Sequence, residues 1–260
     1  MELTYASYLK LDDLLKLQVP RSNPVEHDEM LFIVVHQTYE LWFVVLLQEL
    51  DKVKKDLSEN RVFDAIHTFK RMRTVMKTLV GQLDVLETMT PMSFLAFRDR
   101  LEKASGFQSM QFRELEFALG CKRESVLEYY GKDTPGYDRV VARLSERSVV
   151  DHFYDFLELN GVEIPDEIKT KEITEPTKPH DQIQDGVLKI LREQGELGIL
   201  CELMVDFDEG LQEWRYRHVK LVERTIGNKE GTGGSLGVEF LKKSLFQPIF
   251  PDLWAVRHKL

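Results

Sequence analysis

Long runs of apolar residues at helical spacing constrain the fold of this 260-residue chain more than any other feature. Between Val62 and Glu87, apolar side chains recur at intervals of three and four residues, which is the pattern of an α-helix with one buried face. No stretch alternates apolar and polar residues between turn signals as a half-buried strand would, and no internal repeat is found. The sequence therefore predicts an all-α protein in which residues 1–260 form one domain of long packed helices.

A second long helix is predicted from His27 to about Asp56, because acidic residues suit its start and lysines suit its end. Its segment Met30–Leu47 is the most apolar part of the chain, but polar residues between His36 and Glu40 interrupt it. A membrane span rarely carries that many polar groups near its centre. We therefore predict a core helix, buried on all sides in its first half, and no membrane partner.

Shorter helices are expected elsewhere, and residues 182–226 are predicted to form two helices that meet near Asp206–Glu209. Three prolines among charged residues mark 161–181 as a surface loop, and five glycines mark 227–237 as a second loop. Both loops belong to the same predicted domain.

Composition narrows the function classes. The net charge is -9 and no cluster of lysine and arginine stands out, so a nucleic-acid partner is not expected. Cys121 and Cys201 lack any CxxC spacing, which favours two reduced core thiols in a cytoplasmic protein. The N-terminus lacks the basic flank and apolar run of a signal peptide.

The histidines do not support a zinc or di-iron site. None of the seven belongs to an HExxH or HxxxH pattern or follows a glutamate by three residues. His218 shares an apolar helical face with Leu211, Trp214, Val222 and Thr225. A histidine in that position is either a core residue with satisfied hydrogen bonds or the one axial ligand of haem iron, whose porphyrin supplies four ligands.

Three other places carry the same kind of choice. His36 lies four residues from both Phe32 and Glu40, so the three share one helical face. Arg98 is either a helix cap or surface ion-pair partner, or a pocket residue whose planar fork binds a carboxylate. The glycine-rich loop around Thr232 follows a helix and lacks the Gly-Lys-Ser/Thr of a phosphate loop, which favours a lid over a nucleotide site.

Six segments in a fixed order carry a resemblance to a known family. The chain resembles the tryptophan 2,3-dioxygenases, which are haem enzymes, over essentially its whole length. The segments are Leu3–Leu9, His27–Ile33, His36–Trp42, Phe97-Arg98 with Ala104–Ser109, Trp214–His218 and Gly227–Ser235.

The resemblance implies an all-helical homotetramer with one b-type haem per subunit. It implies that both atoms of O₂ are inserted across the indole C2–C3 bond of L-tryptophan, giving N-formyl-L-kynurenine in tryptophan catabolism. His218 would be the axial iron ligand, Ser105 would lie at the haem edge, and His36 would accept the indole N–H.

The same resemblance assigns the rest of the substrate site. Arg98 would bind the substrate carboxylate, and Thr232 would help to hold the carboxylate and the ammonium group. Phe32 and Phe94 would line the indole slot. Residues 1–24 would form an N-terminal arm. Its Tyr5 and Tyr8 would reach into a neighbouring subunit's pocket.

Three positions depart from the family's usual pattern. Ala6 replaces a glycine, Leu236 replaces a serine, and Phe94 stands where some bacterial members carry tyrosine. Leu236 borders the substrate loop, so an altered specificity for indole substrates stays an alternative. The alternatives to the dioxygenase are a haem monooxygenase acting on a modified tryptophan and, in a different class, a non-catalytic haem protein or helical adaptor.

Overall fold

The computed structural model describes residues 2–227, residue 229 and residues 237–260. Within these residues the regular secondary structure is helical and contains no strand, which confirms the predicted all-α fold. The α-helices are α1 Tyr5–Leu9, α2 Leu11–Leu14, α3 His27–Ser58, α4 Val62–Leu86, α5 Pro91–Arg98, α6 Met110–Ala118, α7 Tyr137–Ser145, α8 Val149–Leu159, α9 Asp166–Lys169, α10 Asp181–Glu193, α11 Glu196–Ile226, α12 Val238–Lys242 and α13 Pro251–Ala255. Short 3-10 helices cover Asp99–Leu101, Gly106–Gln108, Glu124–Tyr129 and Val256–Lys259.

Three long helices form the centre of the molecule. Helix α4 packs against both α3 and α11, and α3 also packs against α6 and α8. The α4 stripe predicted from the sequence is buried in this contact, with Phe69 and Met72 fully inaccessible to solvent. The cluster extends into α8 and α10, so the predicted helix at Val62 has the expected extent and the expected buried face.

Polar residues within the apolar segment of α3 connect it to its neighbours. The Tyr39 hydroxyl donates a hydrogen bond to the Leu79 carbonyl at 2.6 Å, and Thr38 Oγ1 donates to Gln82 Oε1 at 2.7 Å. Because buried polar groups need partners, these bonds account for polar side chains in a helix that otherwise packs through apolar groups.

The prediction that the first half of α3 is buried on all sides is wrong for the single chain. Met30, Val34, Leu41 and Val44 are exposed along one face. By length and composition alone, α3 is a helix that could cross a membrane, and 28% of its most apolar window is buried within the chain. The opposite face packs in the core, and the expected absence of a membrane partner stays a prediction.

The predicted break near Asp206–Glu209 is also wrong. The chain breaks at Gln194, which has a left-handed φ of 54°, and α11 then runs uninterrupted. Asp208 lies inside α11 with its Oδ2 accepting hydrogen bonds from the backbone N–H groups of Ile249 and Phe250 at 2.8 and 3.1 Å. Asp208 therefore fixes the start of α13 against α11 and does not end a helix.

The segment 161–181 is only partly the surface loop that was predicted. It contains the short helix α9 and buries Val162 and Ile164 in the main core. Its end is held by the Asp252 carboxylate, which accepts hydrogen bonds from the His180 backbone N–H at 2.7 Å and from the Tyr154 hydroxyl at 2.5 Å. Both cysteines were predicted to be core thiols; Cys201 is buried in the core, whereas Cys121 is only partly buried.

Candidate active site

A large cavity lies between α3, α5, α6, α11 and α12. Its volume is about 300 Å³. Most of its lining is apolar, and the side chains that interrupt that lining include two histidines and four arginines. A cavity with apolar walls and a few converging polar groups is the usual form of a small-molecule site.

His36 lies on the α3 wall with one ring nitrogen already bonded. Its Nδ1 is 2.7 Å from the carbonyl oxygen of Phe32, one helical turn earlier. Because a carbonyl only accepts, Nδ1 carries the proton in the neutral ring and Nε2 is left as an acceptor. Burial lowers the pKa of His36, against a smaller opposing effect of Glu40. The residue is therefore a neutral acceptor at pH 7.

Aromatic rings surround this acceptor. The Phe32 ring centroid is 4.0 Å from that of His36, 5.8 Å from that of Phe94 and 5.5 Å from that of Phe97. Phe32 and Phe94 face the cavity, whereas Phe97 is fully buried behind them. One face of α3 therefore presents the apolar ring of Phe32 and the hydrogen-bond acceptor of His36 to the same ligand.

Arg98 lines the cavity at the last residue of α5. The helix is placed by its start, where Thr90 Oγ1 accepts a hydrogen bond from Ser93 N at 3.1 Å and Pro91 occupies the first turn. A guanidinium stays charged at any physiological pH. Its presence beside a mainly apolar wall favours a ligand with an anionic group.

His218 lies on the α11 wall and is bound differently from His36. Its ring stacks on that of Trp214 with a centroid separation of 5.2 Å and an interplanar angle of 7°. Its imidazole makes no hydrogen bond to any residue that the structure describes. Burial, with added repulsion from His36, lowers its pKa to about 4. The ring is therefore neutral at pH 7, the form that binds a metal ion.

The stripe around His218 is largely a cavity wall. Trp214, Val222 and Thr225 line the cavity with it, whereas Leu211 is buried in the core. Trp214 Nε1 is buried without a hydrogen-bond partner among the described residues. Such groups usually have partners in the working protein.

A prosthetic group that brings its own donor atoms fits this wall. No cluster of three or more His, Cys, Asp or Glu side chains able to hold a metal ion exists among the described residues. A metal bound at His218 would therefore need most of its ligands from another molecule. One neutral imidazole on an apolar wall provides the single axial bond that such a group requires.

The other predicted site residues divide into three groups. Ser105 lines the cavity, and its Oγ accepts a hydrogen bond from Phe107 N at 3.3 Å. Tyr5 and Tyr8 are 76% and 70% exposed and do not belong to the lining of their own chain's cavity. Thr232 and Leu236 lie outside the described residues.

A cationic end of the cavity was not predicted. Arg113, Glu116, Arg123 and Arg215 line it together, and we call these four residues the basic end. The sequence indicates this basic end only weakly. Arg113 and Glu116 interrupt an apolar helix, and Arg215 precedes His218 by three residues. Periodicity alone did not show that α6 and α11 bring these side chains to one place.

The fold and cavity together define an all-helical protein with a mainly apolar cavity into which two histidines and four arginines project. The sequence profile described as Tryptophan 2,3-dioxygenase matches residues 1–148 and 191–260. The chain belongs to the tryptophan 2,3-dioxygenase family.

Relatives of that name align along almost the whole chain. The chain is 51% identical to the tryptophan 2,3-dioxygenase of Herpetosiphon aurantiacus, over 99% of its own length and 98% of the relative's. It is 51% identical to that of Anaeromyxobacter dehalogenans, over 99% and 96%. For Bacillus cereus the identity is 39%, over 99% and 93%. The predicted family resemblance is confirmed.

Proposed function

We propose that this chain cleaves the indole C2–C3 bond of L-tryptophan with O₂ and forms N-formyl-L-kynurenine, the first step of tryptophan catabolism through kynurenine. One observation carries the proposal beyond the family relationship. A neutral imidazole acceptor at His36, an aromatic wall at Phe32 and Phe94, and the cation of Arg98 all face one cavity. These groups match the indole N–H, the indole ring and the carboxylate of tryptophan.

We propose haem b as the prosthetic group, with His218 as the axial ligand and Ser105 at the edge of the ring. The support is the neutral imidazole of His218, which lies on an apolar wall and makes no hydrogen bond to a described residue. When bound, ferrous haem with a single axial imidazole binds and activates O₂. The chain's own task is to place the indole next to that centre.

The substrate is oriented by both of its ends. His36 Nε2 accepts the indole N–H while Arg98 pairs with the carboxylate, so the ring can bind in only one sense. Phe32 and Phe94 exclude water from the indole and hold its plane. Because the substrate carboxylate is desolvated in such a site, a guanidinium partner is needed. The family resemblance also implies that Thr232, which lies outside the described residues, helps to hold the carboxylate and ammonium groups.

Isotope labelling tests the reaction. The purified protein with haem is reduced, mixed with L-tryptophan under ¹⁸O₂, and its product is analysed by mass spectrometry. Two labelled atoms in the ring-opened product are expected. One labelled atom with an intact indole would establish the monooxygenase alternative. A Soret band without any product would establish the non-catalytic haem protein.

We propose a homotetramer in which the arm 1–24 completes a neighbour's site through Tyr5 and Tyr8. The support is the exposure of both tyrosines and of the apolar face of α3, since large apolar patches usually mark interfaces. Light scattering should give four times the chain mass of 30.4 kDa. A chain lacking residues 1–24, mixed with an Arg98→Ala chain, should regain activity if arms are exchanged. No recovery in a mixed oligomer would contradict the exchange.

We also propose a cytoplasmic location. The two free thiols of Cys121 and Cys201 support a reducing compartment. Cell fractionation with immunodetection tests this, and recovery in a secreted or membrane fraction would refute it.

A further inference from the structure

The basic end of the cavity buries more positive than negative charge. Arg113, Glu116 and Arg215 are 4%, 4% and 5% exposed, and the side chain of Arg123 is 30% exposed. Three guanidinium groups and one carboxylate carry formal charges of +3 and −1, leaving +2 among the residues that line this end. Buried charges are normally paired, so the excess needs an explanation.

The carboxylate of Glu116 is shared by two of the arginines. Its Oε2 accepts a hydrogen bond from Arg113 Nη1, and its Oε1 accepts one from Arg123 Nη2 at 2.8 Å. Arg113 Nε also donates to the Tyr130 hydroxyl at 3.2 Å. Glu116 therefore balances one of these two charges and positions both side chains.

Arg215 has no carboxylate partner among the described residues. Its Nη1 donates to the carbonyl oxygens of Gln247 and Ser244 at 3.1 and 3.4 Å, and its Nη2 donates to the Sγ of Cys121 at 3.5 Å. Its Nε is buried and has no hydrogen-bond partner within the part of the chain that the structure describes. Asp208 forms no ion pair with Arg215, since the Asp208 Oδ2 accepts hydrogen bonds from the N–H groups of Ile249 and Phe250 and from Trp254 Nε1.

The position of Arg215 relates this charge to the prosthetic group. It precedes His218 by three residues on α11, and both line the cavity. Residues at this spacing are neighbours on a helix surface, about 5–6 Å apart at Cβ. A prosthetic group held by His218 would therefore lie near Arg215, whose Nε could donate a hydrogen bond to it.

We infer that the basic end binds the two carboxylates of the prosthetic group, with Arg215 pairing with one and the Arg113–Glu116–Arg123 cluster with the other. The inference rests on the proposed function, because haem b carries two propionates with a total charge of −2. That charge cancels the formal +2 of the basic end. The basic end would then fix which edge of the ring lies beside α6 and which lies beside the substrate.

A chemical change in the ligand tests this without altering the protein. The full-length chain, produced without haem, is titrated with haem and with haem dimethyl ester, which keeps the ring and iron but has no carboxylates. Removing one partner of a buried charge pair typically weakens binding by about 30-fold or more. We expect at least that ratio in favour of haem.

Matched variants locate the effect. Arg215→Gln should lower the affinity for haem about 30-fold or more but leave the affinity for the ester nearly unchanged. Arg217→Gln is the control, because Arg217 lies on the same helix and pairs with Asp84 outside the cavity. It should bind both ligands as the unaltered chain does. The rate of haem transfer to apomyoglobin provides a second measurement on the haem-loaded proteins.

Three results would overturn the inference. Equal affinity of the unaltered chain for haem and its ester would do so even if the protein cleaves tryptophan, and the proposed function would then stand. Equal losses of haem and ester affinity in Arg215→Gln would show a merely structural role. Failure of the unaltered chain to bind haem at all would overturn the inference and the proposed cofactor together.

Discussion

His36 and His218 line the same cavity but have different surroundings. The Nδ1 of His36 is bonded to the Phe32 carbonyl, whereas His218 only stacks on Trp214 and makes no hydrogen bond within the part of the chain that the structure describes. Burial lowers the pKa of both rings. A bond to one nitrogen leaves the other as a fixed acceptor, while a bare imidazole is available to a metal ion. The difference between their roles comes from their neighbours and not from the residue type.

The largest effect that tests this comparison is expected from His218→Ala. Outer-shell partners of metal ligands already contribute about 10- to 100-fold to affinity, so loss of the ligand should weaken haem binding by more than about 100-fold. The Soret band of the purified variant measures this. Imidazole added to His218→Gly should restore the band, which separates ligand loss from misfolding. A normal band in His218→Ala without added imidazole would refute the assignment.

Arg98→Ala tests the substrate end of the His36 wall. The substitution removes one partner of a buried charge pair and should weaken binding of the transition state by about 2–5 kcal/mol. The value of kcat/KM for L-tryptophan should fall accordingly. Tryptamine lacks the carboxylate, so its turnover should be nearly unaffected. The exposed Arg100 provides the control variant Arg100→Ala. An unchanged kcat/KM for L-tryptophan in Arg98→Ala would exclude the carboxylate role.

His36→Ala should slow turnover and leave haem content unchanged. Leaving the indole N–H without an acceptor costs about 1–3 kcal/mol, which corresponds to about a 10- to 100-fold lower rate. The chain should also discriminate against 1-methyl-tryptophan, which has no N–H, and His36→Ala should lose that discrimination. His67→Ala, at an exposed position of α4, is the control. Loss of haem from His36→Ala would mean that the roles of the two histidines are reversed.

The smallest effect concerns pH. The pKa of His36 is lowered from the usual 6.5, mainly by burial, so the neutral acceptor persists below pH 6.5. As the pH falls through the lowered pKa, the protonated ring becomes a donor and can no longer accept the indole N–H. The acid decline of kcat/KM that depends on His36 should therefore lie below pH 6.5. The pH profiles of kcat/KM are compared for the unaltered chain and for His36→Ala, and their difference gives the decline that depends on His36. A decline above pH 6.5 would contradict the acceptor role.

Local patterns predicted the helices well where one face is buried. The starts of α3 and α4 fall where the charge pattern and periodicity placed them, and Phe32, His36 and Glu40 line the cavity as one face. The break near Asp206 was predicted wrongly, because an acidic cluster suggests a turn unless a distant partner is known. The partners of Asp208 are backbone groups about forty residues later in the chain, at Ile249 and Phe250.

The family resemblance supplied roles that periodicity did not. His218 and Arg98 each had two interpretations on the residues alone, and the motif order favoured the functional one. The structure brings Phe32, His36, Phe94, Arg98, Ser105 and His218 to one cavity. The roles of Thr232, Tyr5 and Tyr8 stay predictions, since Thr232 lies outside the described residues and the two tyrosines do not line their own chain's cavity.

The sequence by itself determined the helical class, the family and which residues to expect at the site, because these depend on local spacing and on motifs. Only the tertiary structure decided which nitrogen of His36 is bonded and that His218 makes no hydrogen bond to the described residues. It also decided that Arg215 lines the same cavity as Arg113 and Arg123, which share the Glu116 carboxylate. Hydrogen bonding and charge balance depend on side chains from distant helices. The hydrogen bonds and the charge balance of the cavity are therefore fixed by how α3, α6 and α11 pack together.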